Sequence, residues 1–342
     1  MISMRGAFLK EYLKLKYKNC ILTKPPTSQG AMVRKEILSE YREAALLRET
    51  DIEEILQGSI KPPETCFLWD LIVERQPSVV LQIGTFVGVS ALIIAEALRF
   101  NNKGVLYAVD PEISHRAIKN PVDVCRHLAR KRSVDNRIRF IKGWFSNSPD
   151  SGPGTGNRST SEIPVVSQAL LEKMDPLDMV FIDGDHSTLC CICDFEAVKN
   201  HLSEKGIALF HDSNSWVSVM SAINIISKDE TVKESFKIGG FWEGDGIFFM
   251  ERTSSAGQRV SLELVVRDSV SKMPVNNALI KYKKRVVART GLNGRASFDY
   301  VLSGKYRIDV EANGYQRLKN TPVILSSDKP EQQTSIEILK NL

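Results

Sequence analysis

Apolar positions between about residue 65 and residue 252 follow two alternating periods. Short apolar runs typical of buried strands are "PSVVLQIG", "GVLYAVD", "RIRFIKG", "LDMVFIDGD" and "IALFHD", and segments between them, such as "SALIIAEALRF" and "CDFEAVKNHLSEKG", have helical spacing. Strands that alternate with helices predict a parallel, doubly wound sheet of the α/β class. "FKIGGF" and "GIFFMER" follow without an intervening helix, which predicts an antiparallel strand at the edge of the sheet.

The chain has a different pattern on either side of this region. "GAFLKEYLKLKY" and "AMVRKEILSEYREAALL" predict amphipathic helices that pack on their own domain or on a partner subunit. "TSSAGQ" predicts a linker, and short alternating segments such as "VSLELVVRD" and "KYRIDVEA" follow it. We therefore expect an N-terminal helical segment at 1–60, an α/β domain at 61–253 and a small all-β sandwich domain at 259–341.

Composition and charge place the chain among ordinary globular proteins. It has 342 residues, 42% of them apolar and 25% charged, and no apolar run of membrane-spanning length, so we expect no transmembrane segment. The first residues are too interrupted by charge for a secretory signal, which favours a cytoplasmic protein. The net charge of +5 arises from scattered basic residues, so we expect no nucleic-acid partner. A homo-oligomer is compatible with the helical segment.

Two further segments leave alternatives open. "NSPDSGPGTGNRSTSEIP", residues 147–164, predicts a loop that is either a lid over a site or an insertion. "CCIC" contains a C-x-x-C motif from Cys190 to Cys193, but the sequence has no second pair of ligands for a metal. We therefore expect the six cysteines to be thiols in a reducing compartment.

The turn after the first predicted strand carries the first chemical signal. Gly84 and Gly88 flank "TFV", which is neither the G-x-G-x-x-G pattern of dinucleotide sites nor a P-loop. A glycine at a strand exit admits a ligand close to the backbone, and the N-terminus of the next helix favours an anionic group. Asp110 ends the second strand, where an acid accepts hydrogen bonds from ribose hydroxyls. Together they predict a site for a nucleoside cofactor.

Acidic residues end the fourth and fifth predicted strands. Asp183 in "FIDGDH" and Asp212 in "FHDS" are expected at the same edge of the sheet, where ligands of open α/β sheets bind. Two carboxylates at one point repel each other unless a cation such as Mg²⁺ lies between them, and Ser213 adds a neutral oxygen. The alternative is that these residues only cap helices and bind water. His186 lies close in sequence and is a competent base near neutral pH.

These three motifs resemble class I S-adenosylmethionine-dependent O-methyltransferases. "IGTFVGVSALIIA", "VFIDGDHS" and "GIALFHDS" are most similar to the cation-dependent catechol and caffeoyl-CoA type and to methyltransferase family 24, over about residues 65–252. The resemblance implies a Rossmann-like fold, bound S-adenosylmethionine and a divalent metal such as Mg²⁺. The metal ligands it implies are Asp183 and Asp212, and Ser213 is a further candidate ligand beside them. The resemblance places the cofactor near Gly84, Thr85, Gly88, Ser90 and Asp110, and Gln82 and Asp183 are further candidate contacts of the cofactor.

Three positions depart from the pattern of these enzymes. Gln82 stands where they usually carry an acid, Ser213 where the cation-dependent ones usually have Asn, and His186 where they often have a catalytic Lys. We expect His186 to take the proton of an acceptor hydroxyl, with His211 as the alternative base. The expected acceptor is a vicinal diol or catechol chelated by the metal on Asp183 and Asp212.

Aromatic residues near the predicted strand ends have two interpretations. Trp144 stacks near the adenine of the cofactor or belongs to the core. Trp216, Phe241 and Trp242 line an acceptor pocket or pack in the core. His115 and His127 are expected at the surface or on a helix face.

The C-terminal part resembles a carboxypeptidase-regulatory-like or PEGA-type domain. "PVNNA", "TGLNGRASF", "GKYRIDV" and "NGY" carry that resemblance over about residues 259–341 and include no catalytic constellation. For the whole chain we expect a metal-assisted O-methyltransferase acting on a hydroxyl of a sugar, a glycan or a small-molecule natural product. Two alternatives stay open: a metal-independent N-methyltransferase, and a non-catalytic scaffold protein that acts through the β-domain.

Overall fold

The computed structural model consists of two compact units, Met1–Thr253 and Ser254–Leu342. It describes residues 4–18, 21–44, 52, 55, 57–116, 118–146, 163–253, 259–282, 285–302, 304–325 and 331–341. The division between the units falls where the sequence predicts a linker. Cys20, residues 147–162 of the predicted loop and residues 254–258 of the linker lie outside the described residues.

A seven-stranded sheet forms the centre of the first unit. Its order is β3-β2-β1-β4-β5-β7-β6, and β1 to β5 pair in parallel, which confirms the predicted α/β fold. The antiparallel strand is β7, one position inside the edge, because β6 and β7 form a hairpin whose second strand pairs with β5. The strands are β1 (Val79–Ile83), β2 (Val105–Asp110), β3 (Ile138–Lys142), β4 (Leu177–Ile182), β5 (Leu202–Phe210), β6 (Phe236–Phe241) and β7 (Ile247–Arg252).

Helices cover both faces of this sheet. Successive strand residues alternate between two buried clusters, so that Val80 and Phe181 pack with one layer of helices and Leu81 and Val180 with the other. The first layer contains α2 to α5, and the second contains α1, α7 and α8. The helices are α1 (Met4–Lys16), α2 (Gln29–Glu43), α3 (Pro62–Arg75), α4 (Val89–Phe100), α5 (Pro121–Lys131), α6 (Ser167–Leu171), α7 (Thr188–Val198), α8 (Val217–Ile226) and α9 (Glu230–Ser235).

The N-terminal helices are built into the first unit. Leu13 and Tyr17 are buried in the same cluster as β4 and β5, and the Trp242 indole donates to the Tyr17 carbonyl at 3.1 Å. Tyr41 of α2 is fully buried and its hydroxyl donates to the Val87 carbonyl beside the glycine turn. The segment at 1–60 therefore packs on its own domain, as one of the two sequence alternatives expected.

One predicted boundary is wrong. The segment "CDFEAVKNHLSEKG" was expected to be helical throughout, but α7 ends at Val198 and β5 begins at Leu202. The Leu177 N–H donates to the His201 carbonyl at 2.8 Å, and Leu202 pairs with Leu177. Pairing with β4 therefore overrides the helical periodicity of "LSEKG", a long-range contact that local spacing does not encode.

The second unit consists of two small sheets around a separate core. One sheet has the order β10-β9-β12-β13 and the other β11-β8-β14, in which β14 runs parallel to β8. Buried side chains from both sheets, such as Leu264, Val310 and Ile336, form a single cluster. The strands are β8 (Arg259–Asp268), β9 (Leu279–Tyr282), β10 (Arg285–Arg289), β11 (Arg295–Leu302), β12 (Gly304–Glu311), β13 (Leu318–Leu325) and β14 (Glu331–Ile338).

Two properties concern the whole described chain. Within the described ranges, no helix is both long and apolar enough to cross a membrane. The described cysteines, Cys66, Cys125, Cys190, Cys191 and Cys193, form no disulfide with one another. Burial raises the pKa of the Cys125 and Cys191 thiols well above the ordinary value, so neither is a reactive thiolate near neutral pH.

Candidate active site

The glycine turn between β1 and α4 is held tightly against its neighbours. Gly84 has φ +85° and its N–H donates to the Val109 carbonyl at 2.9 Å. A Cβ built on Gly84 would lie 2.1 Å from the Asp183 carbonyl oxygen, and one on Gly88 would lie 2.1 Å from the Cys125 sulfur. Only glycine fits both places, because the turn packs directly against the end of β4 and against α5.

Asp110 fixes this turn from the end of β2. One carboxylate oxygen accepts the Thr85 and Phe86 N–H groups at 2.8 and 3.0 Å, and the other accepts the Glu112 N–H at 2.8 Å. The oxygen that accepts only the Glu112 N–H has a second lone pair, so the same side chain can still accept one ligand hydroxyl. Asp110 therefore shapes the turn, a role that its sequence position alone did not predict.

Gln82 supports the turn from behind. Its side chain is fully buried, and its amide nitrogen donates to the Gly84 carbonyl at 2.8 Å and to the Ser90 hydroxyl at 2.9 Å. Gln82 is not part of the cavity wall, whereas Ser90 is. The structure thus places Gln82 beneath the backbone rather than where it would contact a cofactor, because β1 directs its side chain into the sheet layer.

A single cavity of about 820 Å³ opens above the turn and the carboxyl ends of β2, β4 and β5. Segment 57–61, which precedes α3, forms part of its wall. This volume is within the usual range for small-molecule sites. The predicted site residues that line it are Gly84, Thr85, Gly88, Ser90, Asp110, Trp144, Asp183, His186, His211 and Asp212.

Asp183, His186 and Asp212 form a compact cluster in this cavity. The His186 Nε2 lies 2.7 Å from an Asp212 oxygen and 3.6 Å from an Asp183 oxygen. One ligand atom from each of the three residues lies within 4.8 Å of the others, the spacing of a metal site. The strand ends therefore bring the two acids together as predicted, and they bring His186 between them.

The charges in this cluster stabilise one another. Burial disfavours the charged imidazole, but the close carboxylates of Asp183 and Asp212 outweigh it and raise the pKa of His186 to about 9. Burial raises the pKa of Asp212, but the hydrogen bond from His186 and the nearby charge of His211 outweigh it and lower the value to about 2. The pKa of Asp183 is lowered against burial, chiefly by the charge of His211.

His211 is more deeply buried than His186 and lies between the carboxylates of Asp183 and Glu64. Its Nδ1 is 3.0 Å from an Asp183 oxygen and its Nε2 is 3.5 Å from a Glu64 oxygen. The side chain is 4% exposed, and Asp183 raises the pKa of His211 well above its usual value despite burial. Both ring nitrogens thus face acids, which suits a residue that orients Asp183 better than one that takes a proton from a ligand.

Ser213 does not reach the predicted metal position. It is fully buried, and its N–H donates to the Gly246 carbonyl at 3.3 Å. Asp212 has φ +58°, and this turn directs Ser213 toward the β6–β7 hairpin and out of the cavity wall. Sequence order placed Ser213 beside Asp212, but the backbone direction after β5 separates their side chains.

The aromatic candidates separate into cavity and core residues. Trp216 is 46% exposed and stacks on His186 with ring centroids 4.9 Å apart. Trp144 is buried and lines the cavity. Phe241 stacks on Phe67 in the core, and Trp242 packs on Phe248. Trp216 therefore lines the cavity, whereas Phe241 and Trp242 pack against core residues.

His115 and His127 are both exposed. His115 contacts the Phe86 ring edge-on at the cavity wall, and His127 lies on α5.

Glu64 is the main site residue that sequence reasoning missed. It is fully buried at the start of α3, where one oxygen accepts the Lys61 N–H at 2.9 Å and the other accepts the Gly246 N–H at 2.8 Å. "KPPETC" reveals only a helix start with an acid in the first turn. Its contact with His211 joins residues far apart in the sequence, and no local motif signals it.

Known proteins show similarity to the first unit. Residues 81–213 match a family described as a methyltransferase domain, a range that contains the glycine turn and both acids of the cluster but less than half of the chain. No curated protein matches the chain. The first unit is thus a methyltransferase, an enzyme, as the sequence motifs predicted.

Solved structures give distant similarities. A methyltransferase from Podospora anserina with bound SAH is 15% identical over 74% of this chain and 97% of that chain, with a TM-score of 0.45. An O-methyltransferase from Bacillus cereus in complex with SAH is 17% identical over 72% and 97%, with a TM-score of 0.45. The O-methyltransferase TomG from Streptomyces achromogenes, in complex with SAM, is 14% identical over 74% and 99%, with a TM-score of 0.43.

Proposed function

We propose, from the methyltransferase domain of residues 81–213, that the protein transfers the methyl group of S-adenosylmethionine to a hydroxyl oxygen with the help of a divalent cation. One observation carries this proposal. A single cavity contains the glycine turn, two carboxylates and an imidazole, so a donor and an acceptor can meet there. Holding two reactants in one orientation supplies much of the rate of such a transfer.

The glycine turn is the proposed binding site of S-adenosylmethionine. The N-terminus of α4 favours the carboxylate of its methionine part, and Gly84 lines the cavity at the turn before that helix. Asp110 accepts a ribose hydroxyl with the remaining lone pair of one carboxylate oxygen, and Trp144 contacts the adenine. Gln82 keeps the turn in place through Gly84 and Ser90.

The acidic cluster fits a divalent cation by its donor set. Asp183 and Asp212 offer carboxylate oxygens to the cavity, and the His186 nitrogen lies within the same sphere. Oxygen ligands suit Mg²⁺ and Mn²⁺, and an added imidazole extends the set to Zn²⁺ and Fe²⁺. Such a cation, when bound, would lower the pKa of an acceptor hydroxyl. Ser213 is not part of this proposed set.

His186 is the proposed proton acceptor. A cation held by Asp183 and Asp212 would disfavour the charged imidazole and lower its raised pKa, so that the neutral ring could take a proton. His186 is 30% exposed to the cavity, whereas His211 is enclosed by Asp183 and Glu64. Its stacking partner Trp216 offers a half-exposed indole face beside the reacting position. A flat ring with adjacent hydroxyls, such as a catechol, or the apolar face of a sugar fits this surface. The proposed acceptor is therefore a hydroxyl of a sugar, a glycan or a natural product with vicinal oxygens.

Calorimetric titration with S-adenosylhomocysteine tests the donor site first. We expect micromolar binding, and a separate titration with MnCl₂ after EDTA treatment should show one cation site that Asp183→Asn removes. Asp175→Asn is the matched control, because Asp175 is exposed shortly before β4 and outside the cavity. Without binding of S-adenosylhomocysteine in either condition, the proposed donor would be wrong.

Methyl transfer from labelled S-adenosylmethionine to a panel of catechols and sugar diols tests the acceptor. We expect O-methylated product that requires a cation, and we expect His186→Ala to lower kcat at least about 100-fold while it retains Mn²⁺ affinity. Loss of Mn²⁺ affinity in His186→Ala would instead show that the imidazole is a ligand of the cation. Transfer to amines that is indifferent to EDTA would replace the proposal by metal-independent N-methylation.

A further inference from the structure

The net charge is distributed unevenly between the two units. Residues 254–342 contain 15 Lys and Arg and 8 Asp and Glu, a net charge of +7. Residues 1–253 contain 31 Lys and Arg and 33 Asp and Glu, a net charge of −2. The basic residues are thus spread over both units, but only in the second unit do they outnumber the acidic ones. Such a unit attracts anionic partners.

Three exposed apolar side chains of the second unit lie in two of its loops. Leu292 is 85% exposed, Val270 is 78% exposed and Met273 is 64% exposed. Val270 and Met273 belong to the loop after β8, and Leu292 belongs to the turn between β10 and β11. We call these three side chains the apolar tip.

Backbone contacts place the two loops of the apolar tip side by side. The Val266 N–H donates to the Gly294 carbonyl at 2.8 Å, and the Val266 carbonyl accepts the Val275 N–H at 3.0 Å. Val266 of β8 is therefore hydrogen-bonded on one side to the turn that carries Leu292 and on the other to the segment that follows Met273. The tip lies at one end of the sandwich, because β8 ends and β11 begins there.

Both loops are stiffened by hydrogen bonds between residues that are close in the sequence. The Asp268 carboxylate accepts the Val270 N–H at 3.0 Å and the Ser271 N–H at 2.6 Å. The Gly294 N–H donates to the Gly291 carbonyl at 2.9 Å, which closes the turn around Leu292. The apolar side chains are thus held outward before any partner arrives, and docking costs little ordering entropy.

Basic side chains surround the apolar tip. Lys272 lies within the first loop, and Arg289 and Arg295 flank the second. Lys272 pairs with Glu337 at 2.8 Å and Arg295 with Glu263 at 2.5 Å, but these pairs are exposed, and exposed pairs are weak. The Arg289 guanidinium donates to the Asn277 amide oxygen at 3.2 Å rather than to a carboxylate.

We infer that the second unit docks on an anionic lipid surface by inserting the apolar tip. Two copies of this unit, each with a net charge of +7, would repel each other, which disfavours a second copy. A soluble polyanion would meet the cations but leave the three apolar side chains in water. Anionic headgroups above an acyl layer accept the cations and the apolar tip together.

Vesicle flotation of the full chain tests this inference. We expect binding to vesicles of phosphatidylcholine mixed with phosphatidylglycerol, weak binding to phosphatidylcholine alone, and loss of binding at high salt. The triple variant Val270→Ser, Met273→Ser, Leu292→Ser should bind these vesicles at least about tenfold more weakly than the unchanged protein. Its melting temperature should be unchanged, since all three side chains are exposed.

Ile324→Ser is the matched control. Ile324 is 65% exposed on β13 and pairs with Lys305 at the start of β12, toward the other end of the sandwich. It should bind like the unchanged protein. Equal binding by the triple variant, or no binding of the unchanged protein to anionic vesicles, would overturn the inference. Retention on heparin without vesicle binding would assign the charge to a polyanion, and a dimer abolished by the triple variant would assign the tip to a second copy.

Phe8→Ser separates the apolar tip from another exposed apolar residue, since Phe8 of α1 is 77% exposed. We expect this variant to bind vesicles like the unchanged protein. Loss of binding in Phe8→Ser with full binding of the triple variant would move the docking surface to the first unit and overturn the inference.

Discussion

Asp183 and Asp212 keep their negative charges in a mostly buried place because two imidazoles lie against them. His186 approaches from the cavity at 2.7 Å from Asp212, and His211 approaches from the core at 3.0 Å from Asp183. Charges that lie close together at low solvent exposure interact more strongly than the same charges in water. The cluster is therefore preformed, with the charges of its acids already balanced.

The titration of His186 should reveal this coupling. In EDTA, the imidazole C–H resonance of His186 should shift with an apparent pKa near 9, and Asp212→Asn should lower that value because the closest negative charge is lost. The raised pKa contributes stability that is fully present below about pH 6.5 and is lost as pH rises through about 9. Proton NMR titration of both proteins is the measurement, and an unchanged pKa in the variant would contradict the assigned cause.

Gly84→Ala should destabilise the first unit. The new methyl group would meet the Asp183 carbonyl at 2.1 Å, and φ is +85°. We expect the free energy of unfolding to fall by at least about 2 kcal/mol. All four tryptophans lie in the first unit, so denaturant unfolding followed by tryptophan fluorescence reports on it alone.

Gly291→Ala is the control for this substitution. A Cβ on Gly291 would meet nothing closer than 3.5 Å, and the residue belongs to the second unit. The tryptophan transition should therefore not move. A shift as large as that of Gly84→Ala would show that backbone strain at the turn is not the cause.

At the level of elements, helix α1 shows how burial on one face fixes a segment. Leu13 is fully buried against the core, whereas Leu15, two residues later, is 67% exposed. Leu13→Ala should lower the free energy of unfolding of the first unit by about 2–5 kcal/mol. Leu15→Ala should have almost no effect, and tryptophan fluorescence during urea unfolding compares the two. Similar small effects would mean that α1 is not part of the cooperative unit.

The sequence predicted those elements whose pattern is local. The strands β1, β2 and β4 and the "IALF" end of β5 are mainly apolar because both faces of a parallel sheet are covered, and the turn at Gly84 follows from a glycine at a strand exit. The position of β7 inside the edge depends on which strand pairs with β5, and the start of β5 depends on Leu177. These are long-range pairings, and apolar spacing does not encode them.

The candidate site, like the strands, could be predicted where a local rule applies and not where distant elements determine the contact. Asp183 and Asp212 meet because parallel strands end at one edge, a rule that needs no side-chain detail. Ser213 is displaced by the positive φ of Asp212, and Glu64 reaches His211 from α3, far away in the sequence. Side-chain direction after a strand and contacts between distant elements determine these two residues.

At the level of the whole molecule, the two units have separate cores. The buried clusters of the first unit end at Met250, and the cluster of the second begins at Val260. Each core is closed by its own sheets, so each unit has the means to unfold on its own. The chemistry proposed here belongs to the first unit, and the lipid docking belongs to the second.

Calorimetric scanning of the full chain should therefore show two transitions. S-adenosylhomocysteine at about 100 times its Kd should stabilise only the first unit, by about 2.7 kcal/mol, and should leave the other transition in place. Val310→Ala should lower only the second transition, since Val310 is fully buried in the second core. If the ligand moved both transitions together, the two units would unfold as one, and the second would contribute to the stability of the methyltransferase rather than only to its location.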